Sequence, residues 1–215
     1  MEEQNPAIEL IDASIKRGSS YNFKVFRQES VLVSGGTHQL VELILGRISP
    51  RSGIIRLLGQ DLSSLSQRSK LHLRTRCGVL PEAVSLLNNL TVFANIGLPL
   101  RYHSGLDDDE VNNRVVKTLE HYGMSHLGPL RPALLDRSQQ RMVALIRALL
   151  AEPEVLILED PFEGVDESRY DMMRTMVDEA VDKGCGVLIT TDNVKLETSF
   201  DGQLLKFRSC RVLSV

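Results

Sequence analysis

Hydrophobic positions along this chain fall into two regimes. In the first, short unbroken apolar runs stand between turn residues: Val31-Leu32-Val33, Cys77-Gly78-Val79-Leu80, Val155-Leu156-Ile157-Leu158 and Gly186-Val187-Leu188-Ile189. Runs of this length predict strands buried on both faces, as in a parallel sheet. In the second, apolar residues return every three or four positions. Leu40, Val41, Ile44 and Leu45 predict a helix closed by Gly46, and Val143, Ile146, Leu149 and Leu150 predict another that Pro153 stops. Arg141 and Arg147 fall between the apolar positions of that second helix. Val111, Val115, Val116 and Leu119, then Met172, Met173, Met176 and Val177, predict two more.

Weaker patterns fill the gaps. Ile8-Glu9-Leu10-Ile11, the basic turn Lys16-Arg17-Gly18-Ser19-Ser20, and Phe23 and Val25 predict a hairpin-rich entry into a sheet. Ser49-Pro50-Arg51-Ser52-Gly53 is a turn before a strand over Ile54–Gly59. Residues 61–76 are polar and helical toward their end. Leu204, Leu205 and Phe207, then Val212 and Leu213, predict closing strands. Strand and helix alternate, which is the pattern of an α/β domain.

Composition narrows the function classes. The 215 residues can form one domain with a substantial core, and a net charge of −3 offers no general attraction to nucleic acid. Cys77, Cys185 and Cys210 are widely spaced and read as reduced thiols. His103, His121 and His126 lack zinc-ligand spacing, and Asp107-Asp108-Asp109-Glu110 reads as the acidic first turn of a helix, so no metal site is expected. There is no apolar run of about 20 residues, so a membrane role would require a partner subunit.

Candidate chemistry sits at strand ends. Glu159 and Asp160 close the Val155–Leu158 run, where open parallel sheets place their ligands. Ser34-Gly35-Gly36-Thr37 joins a strand to a helix, the order found in phosphate-binding loops. From Leu135 through Arg147-Ala148-Leu149, Pro153 and Glu159-Asp160-Pro161 to Asp166, the chain resembles the signature helix, Walker B strand and D-loop of ATP-binding-cassette (ABC) transporter ATPases, without a gap. Asn88–Arg101, containing Leu90-Thr91-Val92 and Leu98-Pro99-Leu100, resembles a segment frequent in cassettes of lipid-related transporters, including the mammalian-cell-entry and lipid-asymmetry type. The resemblance covers residues 7–213. It implies a P-loop-type ABC ATPase fold over residues 1–215, with a mixed sheet core and an inserted helical subdomain over 83–150.

Carried over residue by residue, the resemblance also shows what has changed. A working phosphate loop is Gly-x-x-x-x-Gly-Lys-Ser/Thr. Here Gly35, Gly36, Thr37, His38 and Gln39 occupy its place, with Thr37 at the lysine and His38 at the metal-binding hydroxyl. Arg17 stands where an aromatic residue stacks on adenine, with Tyr21 as the nearby substitute. Glu82 stands at the Q-loop glutamine, Asp136, Arg137 and Ser138 at the signature Ser-Gly-Gly, and Thr191 at the switch histidine. The acid pair is inverted to Glu159 then Asp160, while Asp166 keeps the D-loop.

Six altered functional positions on a retained frame imply an ABC-type subunit that does not hydrolyse ATP and acts structurally or as a regulator. No cofactor is expected on that reading. Its partners would be a transmembrane permease subunit and a second cassette, in a homodimer or heterodimer, with Leu86, Leu87, Phe93 and Leu98 as the partner-binding rim. The chain would be cytoplasmic and held at the inner face of the membrane through that partner. The alternatives are a divergent working ATPase in an asymmetric dimer, with Mg-ATP and catalytic Glu159 and Asp160, and a soluble scaffold on the same fold.

Overall fold

A computed structural model describes residues 5–16, 20–34, 38–191, 203–208 and 211–214. In chain order the elements are β1 (Ile8–Ser14), β2 (Tyr21–Val25), β3 (Ser30–Ser34), α1 (His38–Ile44), β4 (Ser52–Leu57), β5 (Gln60–Asp61) and α2 (Gln67–Thr75). They continue with β6 (Cys77–Leu80), α3 (Val92–His103), α4 (Asp108–His121), α5 (Arg137–Leu149), β7 (Val155–Glu159), α6 (Glu167–Asp182), β8 (Gly186–Thr191), β9 (Gln203–Arg208) and β10 (Arg211–Ser214). β2-β1-β4-β5 form an antiparallel sheet, and a second sheet runs β10-β9-β3-β8-β7-β6, parallel except for its β9–β10 pair.

The unbroken apolar runs become central strands because both faces of the larger sheet are covered. Leu32, Leu156, Leu158, Val187 and Ile189 point into a core shared with α3, α4, α5 and α6. Their neighbours Val31, Val33, Val155, Ile157 and Leu188 point the other way, against α1 and the antiparallel sheet. Each such side chain contributes about 1.5–3 kcal/mol on burial, and a polar residue in one of these runs would forfeit about that much. β6 departs from the expected buried strand. It is the sheet edge, and Cys77 and Val79 are only half buried.

All regular structure between β6 and β7 is helical, and its first helix, α3, follows an irregular stretch over 81–91. Gly78 lets α5 lie directly on β6: a Cβ there would stand 2.6 Å from the Ala148 carbonyl oxygen. No helix among the described residues is long and apolar enough to cross a membrane.

Candidate functional site

Because β3, β6, β7 and β8 are parallel, their C-terminal ends share one edge. Glu159 closes β7 and is only 6% exposed, and its Oε2 accepts the Glu82 N–H at 3.3 Å. Asp160 follows with a φ of +41°, a left-handed conformation costly for a residue with a Cβ. That turn sends its carboxylate the other way: Thr191 donates its hydroxyl to Asp160 Oδ1, and the Asp160 N–H donates to the Thr190 carbonyl at 2.8 Å. The structure thus brings together Glu82, Glu159, Asp160 and Thr191. The Glu82 side chain itself is exposed, and its main chain makes the contact.

Other expected site residues are placed less fully. His38 and Gln39 open α1, with Gln39 exposed, and Tyr21 lies half buried in β2. Gly35, Gly36 and Thr37, like Arg17, lie outside the described residues.

The signature place forms the first turn of α5. Helix N-termini leave N–H groups unpaired and carry partial positive charge. Here Asp136 supplies the acceptor: its Oδ1 takes the Gln139 N–H at 2.8 Å, and Gln139 Oε1 takes the Asp136 N–H at 3.0 Å, a reciprocal capping box. Arg137 pairs with Glu163 at 3.0 Å, and Arg169 bridges Asp136 and Asp166. Buried Ser138 donates to the Gly164 carbonyl at 3.3 Å and accepts the Asp166 N–H at 3.0 Å.

Gly164 has a φ of +69°, and a Cβ on it would stand 2.7 Å from Arg137 Nε. The first turn of α5 and the turn at Gly164–Asp166 are therefore one bonded unit. Asp166 also caps α6, and hydrogen bonds, that from Ser168 first, hold its carboxyl well below the usual range.

Arg141 is the site residue that sequence patterning missed. It was expected between apolar positions; it is in fact 1% exposed. Its Nε donates to the Pro161 carbonyl at 3.0 Å, Nη1 to Glu82 at 2.6 Å, and Nη2 to Glu159 at 2.8 Å and to Asp160. One guanidinium therefore gathers the main chain after β6 and the main chain after β7. Positions 141–146 are all buried, so the middle of α5 is enclosed on every side and a place off the apolar stripe does not mean exposure there.

The four expected partner residues divide into two pairs. Buried Asn95 arranges this: its amide donates to the carbonyls of Leu87, Leu90 and Thr91 at 3.0, 3.3 and 2.9 Å, and its oxygen accepts the Leu87 N–H at 2.7 Å. The turn it holds presents Leu87 outward. Leu87 and Leu98 line an open hollow of about 470 Å³ between α2, β6, α3 and α5. Leu86 and Phe93 instead pack on the helical core, and Phe93 reaches a separate hollow of about 350 Å³ beside Val116. Of the four residues expected to form one partner-binding rim, Leu87 and Leu98 share this hollow, while Leu86 and Phe93 do not line it.

With this geometry in hand, comparison with known proteins is direct. The sequence profile of the ABC transporter family matches residues 21–163. The intermembrane phospholipid transport system ATP-binding protein MlaF of Haemophilus influenzae is 30% identical over 179 residues, covering 79% of this chain and 68% of the relative. The methionine import ATP-binding protein MetN of Carboxydothermus hydrogenoformans is 25% identical, covering 96% of this chain and 60% of the relative. The lipopolysaccharide export system ATP-binding protein LptB of Haemophilus influenzae is 28% identical, covering 71% and 63%. The chain thus spans 60% to 68% of the length of these relatives.

Among solved structures, an ATP-binding subunit of an ABC transporter superposes with a TM-score of 0.81 at 24% identity, covering 96% of this chain and 88% of that one. A Clostridium perfringens subunit of the cbiONQ ABC transporter complex gives 0.84 at 21% identity, covering 97% and 87%. These likenesses establish the fold, and the profile and the first relative establish the lineage. The chain belongs to the ABC transporter family, on the ATP-binding-cassette fold, with lipid-system ATP-binding proteins among its relatives.

Proposed function

We propose that this chain is a non-hydrolysing cassette subunit of an ABC-type membrane transporter of lipid-related cargo, acting as a structural or regulatory partner. The observation that carries this reading is the closed first turn of α5. The positive pole of that helix already holds the Asp136 carboxylate, and Arg137 and Arg169 are matched by Glu163, Asp136 and Asp166. A phosphate arriving there would meet a carboxylate at the N–H groups and find the nearby cations paired. At close range in a partly screened cleft, like charges repel by about 4 kcal/mol.

Mg-ATP fits the other residues poorly as well. Asp160 is tied to Thr191, and Glu159 accepts from Glu82, so both acids are held by the chain's own groups. Residues 1–215 form one cassette on this reading, and the 83–150 stretch is the helical subdomain that meets the permease through the hollow lined by Leu87 and Leu98. A second cassette, identical or competent, completes the complex, and the chain is carried to the inner membrane face by its partner.

Isothermal titration of Mg-ATP into the purified protein tests the proposal. No saturable heat is expected up to about 1 mM nucleotide. Binding at micromolar concentration, abolished by Asp160→Asn or not, would favour a divergent working ATPase instead.

A further inference from the structure

A third hollow lies at the opposite end of the larger sheet from Glu159 and Thr191. Pro153 and Cys185, which stand just before β7 and β8, line it together with Leu149, Met176 and Ala180. It holds about 450 Å³, the size of a small-molecule pocket, and is more enclosed than the hollow beside β6. Met176, Ala180 and Cys185 are buried, so its floor is apolar. Its polar lining is Tyr122, Glu152, Glu179 and Lys183.

Glu179 is built into the wall. Its Oε2 accepts the Tyr122 hydroxyl at 2.9 Å, and its Oε1 stands 3.3 Å from His121 Nε2, so the end of α4 fixes a carboxylate carried by α6. Burial raises its pKa, but the hydrogen bonds from Tyr122 and then His121 outweigh burial and hold the carboxyl below its usual range. The group is therefore ionised at neutral pH. Glu152 supplies a second carboxylate. Its φ of +50° is the left-handed conformation in which helices usually end on Gly or Asn. A strained glutamate where glycine would be free of strain points to a use for its carboxylate. Glu179 pairs with His121, which is charged only when protonated, and no ion pair joins Glu152 or Glu179 to Lys183 among the described residues. The negative charge of the hollow is thus not cancelled within it.

We propose that this hollow binds a small organic ammonium ion, with its apolar body on Leu149, Met176 and Ala180 and its charged head against Glu179 and Glu152. An apolar floor alone would accept any hydrocarbon of the right size; the two carboxylates, one anchored by a tyrosine, select for a cation. Lys183 opposes that selection and would favour a zwitterion carrying its own carboxylate. Its influence is the weaker one, because Lys183 is exposed to solvent and screened, whereas Glu179 is half buried.

The test titrates hexylammonium into the full chain and follows the methionine methyl groups by carbon–proton NMR, the Met176 signal being assigned from its loss in Met176→Leu. A saturable shift of that signal is expected, half complete at about 1 mM. 1-Hexanol, with the same body and no charge, should bind about tenfold more weakly. Glu179→Gln keeps the acceptor for Tyr122, and Glu152→Gln changes an exposed position that does not threaten folding. Each should weaken hexylammonium binding by about three- to tenfold and leave hexanol unaffected. Lys183→Ala should tighten it about twofold. Equal affinity for amine and alcohol, an affinity untouched by both glutamine variants, or no shift of the Met176 signal up to about 20 mM overturns the proposal. So does tighter binding of L-norleucine than of hexylammonium that is lost in Lys183→Ala, which would assign the hollow to a zwitterion.

Discussion

Replacing Arg141 by Met should be among the most damaging single substitutions in this chain. The side chains are of comparable length, so the loss is electrostatic rather than a cavity. Exchanging a buried ion pair for apolar residues can be neutral when both partners are replaced. Here the acceptors are four main-chain carbonyls, which no side-chain substitution removes. Those of Glu82 and Asp160 lie where water can reach them, whereas those of Pro161 and Glu159 are buried with the guanidinium. Two orphaned acceptors at about 1–3 kcal/mol each give a destabilisation of about 2–6 kcal/mol. Arg141→Lys should recover only part of this, since an ammonium donates from one point and cannot span the loops after β6 and β7. Urea unfolding should show a lower midpoint with an unchanged slope. Amides of 80–83 and 159–166 should exchange faster than the rest of the sheet. A midpoint within about 0.5 kcal/mol of the parent protein would refute the clamp, since that is the range of inconsequential surface changes.

Asp136→Ala should cost about 1 kcal/mol through loss of the α5 cap, and Asp136→Ser only a few tenths, measured by the same urea titration. Acid should destabilise the fold in a defined direction: Glu9, held low by hydrogen bonds from Arg56 and then Lys24, and Asp166, held low first by Ser168, have folded pKa values below their unfolded ones. Their contribution is therefore complete above about pH 5 and lost as pH falls through and below about 4; a urea midpoint constant from pH 7 to 3 would contradict this. Burial pushes the Cys77 and Cys185 thiols up to about 12, so in a Cys210→Ser variant neither should react appreciably with a disulfide reagent at pH 8 until denaturant is added.

The sheet was legible because its signal is local. Val155–Leu158 must be apolar at every position when layers cover both faces, and that shows in four consecutive residues. Helix α5 was legible from its spacing and from Pro153, and its Asp136-x-x-Gln139 cap is a pattern that four residues suffice to reveal. Arg141 was illegible for the opposite reason: its partners lie 18 to 59 residues away, and nothing within its own helix distinguishes a buried arginine from an exposed one. How the expected rim residues divide turns on a finer point. Leu86 and Leu87 are equally apolar, and only the Asn95 hydrogen bonds, which fix the turn, determine which one faces out.

On the proposed reading the segments that would grip a nucleotide are tied to one another. Asp136 caps its own helix, Ser138 ties the signature turn to Gly164 and Asp166, Thr191 holds Asp160, and Arg141 binds the loops that follow β6 and β7. In a nucleotide-driven device these segments would need partners that come and go, because a ligand shifts a conformational equilibrium only by its differential affinity for the two states. These bonds, on that reading, stay as they are with or without nucleotide. On the proposed reading the hollow beside β6 therefore keeps one shape whatever the nucleotide concentration, and the affinity of a helix for it should be the same with and without Mg-ATP. A change of about tenfold on adding nucleotide, about 1.4 kcal/mol of coupling, would overturn that reading.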